Sequence, residues 1–288
     1  MRHQYKRERS EFWITIHENE NDSYTITTTE KYIIIINRFF PLLQMISPKG
    51  WTESNMYPGL YNLWLPTGVC SRATIEDFMS WCERVTQDVL WLGKNKNIAT
   101  FFEEELDFCI ASDFNYHYGA DRTEMGEAEY NLKYNIHNLS ASEKSAYLDF
   151  VMNRMLESAR YIPVHKGGEW VVSPMPATVT GRDKLAWQMA ENLAEHMGFE
   201  LIVPHLCCEK PEMKKLAIEE KINVWNNIYN SGNVTIEDDI MRKNVILFDD
   251  LYQSGTTMWQ YARFLKELGA KSVWGLVCVK SLKDSDNK

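Results

Sequence analysis

The six cysteines of this 288-residue chain never fall in a Cys-x-x-Cys spacing, which removes the usual zinc-knuckle and dithiol motifs. No secretory segment precedes them, so reduced thiols and a cytoplasmic location are expected. Long apolar runs are also missing. The longest, Tyr32-Ile33-Ile34-Ile35-Ile36, is far too short to cross a bilayer, and it reads as a strand, with no membrane contact implied. Positive charge is in deficit, the net charge being −9, which disfavours broad binding to nucleic acid and leaves a small molecule or a protein as the expected partner. The basic start, residues 1–9, includes Glu8 and lacks the acid-poor character of a transit peptide. A solvated terminus is expected there.

What is present is the composition of an ordinary folded protein, 44% apolar and 25% charged, with length for one large or two modest domains. The most informative stretch is Val245-Ile246-Leu247-Phe248-Asp249-Asp250-Leu251-Tyr252-Gln253-Ser254-Gly255-Thr256-Thr257. Four apolar residues in a row read as a fully buried strand, with two carboxylates at its carboxyl end and a small, hydroxyl-rich turn leading into a helix. Asp249 and Asp250 are the catalytic candidates, because carboxylate oxygens accept from sugar hydroxyls or hold Mg²⁺. Residues 253–257 offer backbone amides, hydroxyls and the positive end of a helix to a phosphate, and Gly255 allows a close approach.

Around this stretch the pattern predicts a chain of two parts. Residues 1–112 read as an N-terminal α+β domain of unknown role: a hairpin over 12–17 and 24–37, an aromatic-rich loop over 48–68, a helix over 74–92 capped by Thr74, and a second helix over 99–110. The rings of Trp51, Tyr57, Tyr61 and Trp64 are expected in the core, the alternative being a stacking surface. The triplet Glu103, Glu104 and Glu105 reads as a solvated face. Residues 113–288 read as an α/β domain with a parallel sheet flanked by helices. Its expected elements are a helix over 142–158, a strand at 170–172, a helix carrying Leu185, Met189, Leu193 and Met197 that ends at Gly198, strands over 199–203, 244–248 and 272–279, and a helix over 257–268 with Leu268 inward. The polar stretch 207–242, with Lys210, Lys214, Lys215 and Lys221, is expected to be a lid, and Asp238 and Asp239 an acidic turn rather than a metal site.

The thirteen-residue stretch resembles the phosphoribosyl-pyrophosphate (PRPP) signature of type I phosphoribosyltransferases. A Tyr-x-x-Gly entry at Tyr116 and Gly119 followed by Leu132-Lys133-Tyr134 is similar to the start of the ComF-like members associated with DNA uptake. The resemblance implies a type I phosphoribosyltransferase fold and a Mg²⁺-dependent transfer of phosphoribose between PRPP or a nucleoside monophosphate and a nucleobase-like acceptor. It implies that Asp249 and Asp250 hold the ribose and the metal, and that Tyr252, Gln253, Ser254, Gly255, Thr256 and Thr257 bind the 5′-phosphate. It maps pyrophosphate binding onto Ser173, Met175, Ala177 and Thr178, with Lys133 and Arg182 as further substrate contacts. Three features depart from the family. The N-terminal zinc-binding cysteines are absent, residues 182–188 lack the intact Arg-Gly-Phe-Asn-Gln run, and Glu220 stands where an arginine is expected. The first removes the expected zinc; the other two favour the alternative of a non-catalytic nucleotide- or PRPP-binding regulator or DNA-processing accessory protein, while the intact thirteen-residue motif favours the transferase. A homo-oligomer is left open.

Overall fold

The computed structural model describes residues 1–164, 168–177, 184–209 and 216–282. The chain divides into two compact units, Met1–Trp91 with Arg160–Pro163, and Leu92–Ala159 with Val164–Lys288. The second unit begins earlier than residue 113 because Phe108–Phe114 is a strand of its sheet.

In the first unit, strands β1 (Arg2–Lys6), β2 (Trp13–Glu18) and β3 (Tyr24–Thr29) are followed by helices α1 (Glu30–Phe39) and α2 (Pro41–Ile46). Strands β4 (Trp51–Glu53) and β5 (Leu60–Leu65) and helix α3 (Arg72–Gln87) complete it. The strands form an antiparallel sheet in the order β1-β2-β3-β5-β4. The expected hairpin is present as β2 and β3, but four readings are corrected. Residues 2–6 pair along β2 instead of lying loose. The isoleucine run is helical: Tyr32, Ile35 and Ile36 are buried at helical spacing while Ile34 is exposed, so burial of one face outweighs β-branched propensity. Residues 48–68 contribute two strands, with Tyr57 and Trp64 exposed and Trp51 and Tyr61 half-buried rather than in the core. The α3 helix is capped by Ser71, whose hydroxyl accepts from the Thr74 amide at 3.1 Å. It ends at Gln87, and Leu90–Leu92, labelled β6, spans the boundary between the units.

In the second unit, β7 (Phe108–Phe114) leads to α4 (Glu124–Tyr134), α5 (Ala141–Ala159), β8 (Trp170–Pro174), α6 (Leu185–Met197) and β9 (Glu200–Leu201). Then come β10 (Pro204–Leu206), α7 (Ile218–Asn230), β11 (Val234–Ile236), β12 (Asn244–Tyr252), α8 (Thr256–Glu267) and β13 (Ser272–Lys280). Strands β7, β13, β12, β8 and β9 lie side by side and parallel. The expected α/β architecture is therefore present. Both faces of the sheet are covered: Cys109 of β7 meets Met258 of α8, while Ser112, three residues on and so on the other face, meets Met155 and Ser158 of α5. Residues 245–248 are wholly buried for the same reason.

Residues 99–107 are not helical, since the apolar Phe102 and Leu106 are buried from an irregular segment. Of its acids, Glu105 pairs with Arg263 at 2.9 Å and Glu104 with Lys94 at 3.0 Å. The helix expected to end at Gly198 does so, with Gly198 at φ +67. The strand expected over 199–203 is only Glu200–Leu201. Leu268 caps α8 and is exposed rather than inward. The excursion after residue 206 carries its own structure: β10 and β11 form an antiparallel pair, and Leu206, Trp225, Ile228 and Val234 bury a small core against which Phe264 of α8 packs. Asp238 and Asp239 accept from the amides of Val203 (3.2 Å) and Met241 (2.9 Å), serving the turn as expected. Lys210, Lys214 and Lys215 lie outside the described residues.

The α4 helix crosses the backbone of Asn115 so closely that a Cβ at Gly126 would collide with the Asn115 carbonyl oxygen. Replacing a helical glycine with alanine ordinarily stabilises by about 1 kcal/mol. Here Gly126→Ala is expected to do the reverse, lowering the denaturant midpoint measured by circular dichroism.

Candidate functional site

β12 leaves the dry centre of the sheet after Phe248, and Asp249, Asp250 and Leu251 emerge half-buried at its carboxyl edge. The acids thus belong to the strand itself, with the Asp250 amide donating to Asp249 Oδ1 at 2.9 Å. From the last turn of α4, Lys133 Nζ donates to Asp250 Oδ1 at 2.8 Å. One helical turn earlier, Glu129 Oε1 lies 3.5 Å from the same nitrogen. It is buried and accepts no hydrogen bond among the described residues. Burial pushes the Glu129 carboxyl from 4.5 up to about 7, with the Lys133 charge opposing the rise and Asp250 adding to it. For Lys133 burial acts downward, but Asp250 and Glu129 outweigh it and hold the ammonium above its ordinary range.

Beyond the acids the chain turns into α8 through Gly255, which caps the helix at φ +84. A side chain there would be strained and would collide with the Tyr252 hydroxyl. Tyr252 is a buried strut: its hydroxyl donates to the Gly93 carbonyl and accepts from Trp259 Nε1, both at 3.1 Å. The turn is tied from behind. Asn95 Nδ2 donates to the Ser254 carbonyl at 3.1 Å, and Lys280 Nζ donates to the Gln253 and Ser281 carbonyls at 2.9 Å. The Ser254 and Thr256 hydroxyls are 3.0 Å apart. The first amides of α8, which have no carbonyl four residues back within the helix, sit at its positive end.

Two cavities meet at the acid pair. One, of 350 Å³, is lined by residues 252–257 with Tyr134 and Lys221; the other, of 390 Å³, by Pro176, Ala177, Lys184, Trp187 and Leu206. Lys133, Met175, Asp249 and Asp250 line both. Ser173 lines neither; it is fully buried with its hydroxyl 2.8 Å from that of Tyr261. The Met175 amide, one of those expected for pyrophosphate, donates to the Phe248 carbonyl at 3.1 Å. Ala177 bridges to His205, and its carbonyl accepts from the Leu206 amide at 3.2 Å. Thr178 and Arg182 lie outside the described residues. Glu220 accepts from the Ala217 amide at 2.8 Å, a cap for α7.

No cluster of three or more His, Cys, Asp or Glu able to hold a metal occurs among the described residues. An adjacent pair of carboxylates nevertheless suits Mg²⁺, which is commonly held through one or two carboxylates together with phosphate oxygens of a substrate. No described helix is long and apolar enough to cross a membrane.

No family model matches the chain, and no curated protein matches it in sequence. Among solved structures, a hypoxanthine phosphoribosyltransferase from Staphylococcus aureus is similar over 49% of this chain and 68% of its own, at 14% identity and a TM-score of 0.33. A purine phosphoribosyltransferase from Pyrococcus horikoshii is similar over 45% of this chain and 81% of its own, at 15% identity and a TM-score of 0.28. The HGPRT-ase of Leishmania tarentolae, in complex with GMP, is similar over 49% of this chain and 66% of its own, at 12% identity and a TM-score of 0.28. Overlaps this partial carry no weight on substrate or chemistry, which are left to the geometry of the sheet edge.

Sequence reasoning missed Glu129, Asn95 and Lys280. Glu129 had a signal, an acid four residues before Lys133, the spacing of one helix face. Lys280 had another, a lysine at the carboxyl end of an apolar strand. Asn95, from an irregular segment, had none.

Because the folded-state value of Glu129 lies above its ordinary value, the stability it allows is present below about 4.5 and is lost as pH rises through about 7. In thermal melts between pH 4.5 and 8, Glu129→Gln is expected to gain on the wild type progressively as pH rises. A constant difference across that range would show that the burial of this acid is not felt.

Proposed function

We propose that the carboxyl edge of the second unit's sheet binds a 5-phosphorylated ribose compound, PRPP or a nucleoside monophosphate, and that the protein is a Mg²⁺-dependent phosphoribosyltransferase. One observation carries this reading: the acid pair at the end of the central strand and the turn 253–257 at the start of α8 line one cavity of 350 Å³, so that hydroxyl acceptors and an anion cradle face a common ligand.

In this reading Asp249 and Asp250 accept from the ribose hydroxyls. The first amides of α8 and the hydroxyls of Ser254, Thr256 and Thr257 take the 5′-phosphate, and Gly255 keeps the backbone within reach. Mg²⁺, when bound through Asp249 and Asp250, supplies neutralisation of the pyrophosphate charge. Lys133, Lys184 and Lys221, all lining the two cavities, raise the positive potential around that anion. The bond from ribose C1 to pyrophosphate oxygen breaks, with the electron pair leaving on pyrophosphate, a ring nitrogen of a nucleobase-like acceptor supplies the pair that forms the new bond, and the proton of that nitrogen is lost to solvent. The protein contributes position and electrostatics rather than a covalent intermediate.

A second reading, binding without transfer, is favoured by the loop after β8. The Met175 amide is used within the sheet, and Glu220, in the place expected for an arginine, caps a helix. A regulator that senses PRPP or a nucleotide, or an accessory factor of the kind the ComF resemblance implies, needs the ribose-phosphate site but not the pyrophosphate cradle.

Calorimetric titration of PRPP with and without Mg²⁺ is expected to show metal-dependent binding that Asp249→Asn/Asp250→Asn weakens at least tenfold, the loss of charge-assisted hydrogen bonds being worth about 1.5–3 kcal/mol. Pyrophosphate release with any free nucleobase then decides for transfer. Binding without turnover decides for the second reading, and no binding of PRPP or nucleoside monophosphates sinks both.

A further inference from the structure

The Lys133 ammonium is set between two acids that it does not hold equally. It is hydrogen-bonded to Asp250 at 2.8 Å, while Glu129 Oε1 stands 3.5 Å away, its side chain only 5% exposed and this oxygen without a hydrogen-bond partner among the described residues. That oxygen is ion-paired with Lys133 without a hydrogen bond to it; a buried carboxylate oxygen lacking a hydrogen bond is costly, and the cation it faces is the one bonded to Asp250. Arg122 is the other cation whose charge reaches Glu129, but its guanidinium is engaged over the Tyr130 ring at 3.8 Å and lies 3.6 Å from Glu127. Among the described residues, Lys133 is therefore the cation placed to take the Glu129 oxygen. Because residues four apart share a helix face, rotation about the last bonds of the lysine side chain moves Nζ from one acid to the other without moving α4.

We propose that Lys133 is a two-position latch: it holds Asp250 until a ribose hydroxyl claims that carboxylate, and then passes to Glu129, the positioning residue that receives it. This rests on the reading of Asp250 as a ribose-binding acid. Without Glu129, freeing Asp250 would leave the part-buried Lys133 ammonium without the second carboxylate beside it, so the site would open only at a cost. Without Lys133, Asp250 would be open from the start. The two substitutions are thus expected to act in opposite directions, which neither a purely structural role for the pair nor direct contact between Lys133 and the ligand would produce.

The test is calorimetric titration of ribose 5-phosphate and, separately, of inorganic phosphate into wild type, Glu129→Gln, Lys133→Met and the double variant. Inorganic phosphate reports the turn 253–257 alone and serves as the check that each variant is folded. The preference for ribose 5-phosphate over phosphate is expected to fall about tenfold in Glu129→Gln and to rise about tenfold in Lys133→Met, the worth of one hydrogen bond to a charged group. The double variant is expected to match Lys133→Met, because Glu129 acts only through the lysine. If both single variants keep the wild-type preference while Asp250→Asn loses it, the latch is overturned and the ribose-phosphate site stands. A fall in Lys133→Met also overturns the latch, in favour of a lysine that touches the ligand. If the wild type binds neither phosphate nor ribose 5-phosphate, the site reading falls and takes the latch with it.

Discussion

Charge has to be placed at the end of a strand that is dry on both faces, and the Lys133–Asp250 ion pair is what makes that placement tolerable. β12 runs between β13 and β8 with its apolar residues wholly buried, so the first water its chain meets is at the carboxyl edge. Two consecutive carboxylates there repel each other and lose solvent. The cation that compensates them comes from a different element, α4, whose position depends in turn on the close crossing of Gly126 over Asn115. A part-buried pair of this kind contributes little net stability. Its effect is to fix where the acids point.

The turn 253–257 follows a different logic, in which donors from other elements shape its backbone. Lys280 and Asn95 hold the carbonyls of Gln253 and Ser254, and Tyr252 fills the space that a side chain at residue 255 would need. The amides at the start of α8 are then presented by default, because a helix cannot satisfy them internally. Asp250 is held by an ion pair to one helical side chain, whereas the turn is held through its carbonyls by Asn95 and Lys280.

Legibility differed between the elements for reasons that can be named. The strand, acid pair, turn and helix at 244–267 were readable because each is specified locally: a strand buried on both faces has to be continuously apolar, and a positive-φ helix cap has to be glycine. The isoleucine run at 33–36 was misread because burial of one face selected a helix against local preference. The aromatic segment at 48–68 was misread because its edge strand is only three residues long, and because Trp64 takes the outward position between the buried Leu63 and Leu65. The excursion after residue 206 was read as a lid because nothing local announces that Trp225 and Ile228 pack with Leu206 and Val234.

By itself the sequence determined which residues could carry the chemistry: paired carboxylates after a buried strand, and a Ser-Gly-Thr-Thr turn opening a helix, are combinations whose properties follow from side-chain type and spacing alone. Tertiary structure decided which of them are available. It set Lys133 against Asp250 across 117 residues of chain, placed a Glu129 oxygen without a hydrogen bond beside it, buried Ser173 against Tyr261 and spent the Met175 amide inside the sheet. None of these is a local property. Each depends on which atoms the packing of separate elements brings within hydrogen-bonding distance, and on how much water that packing leaves behind.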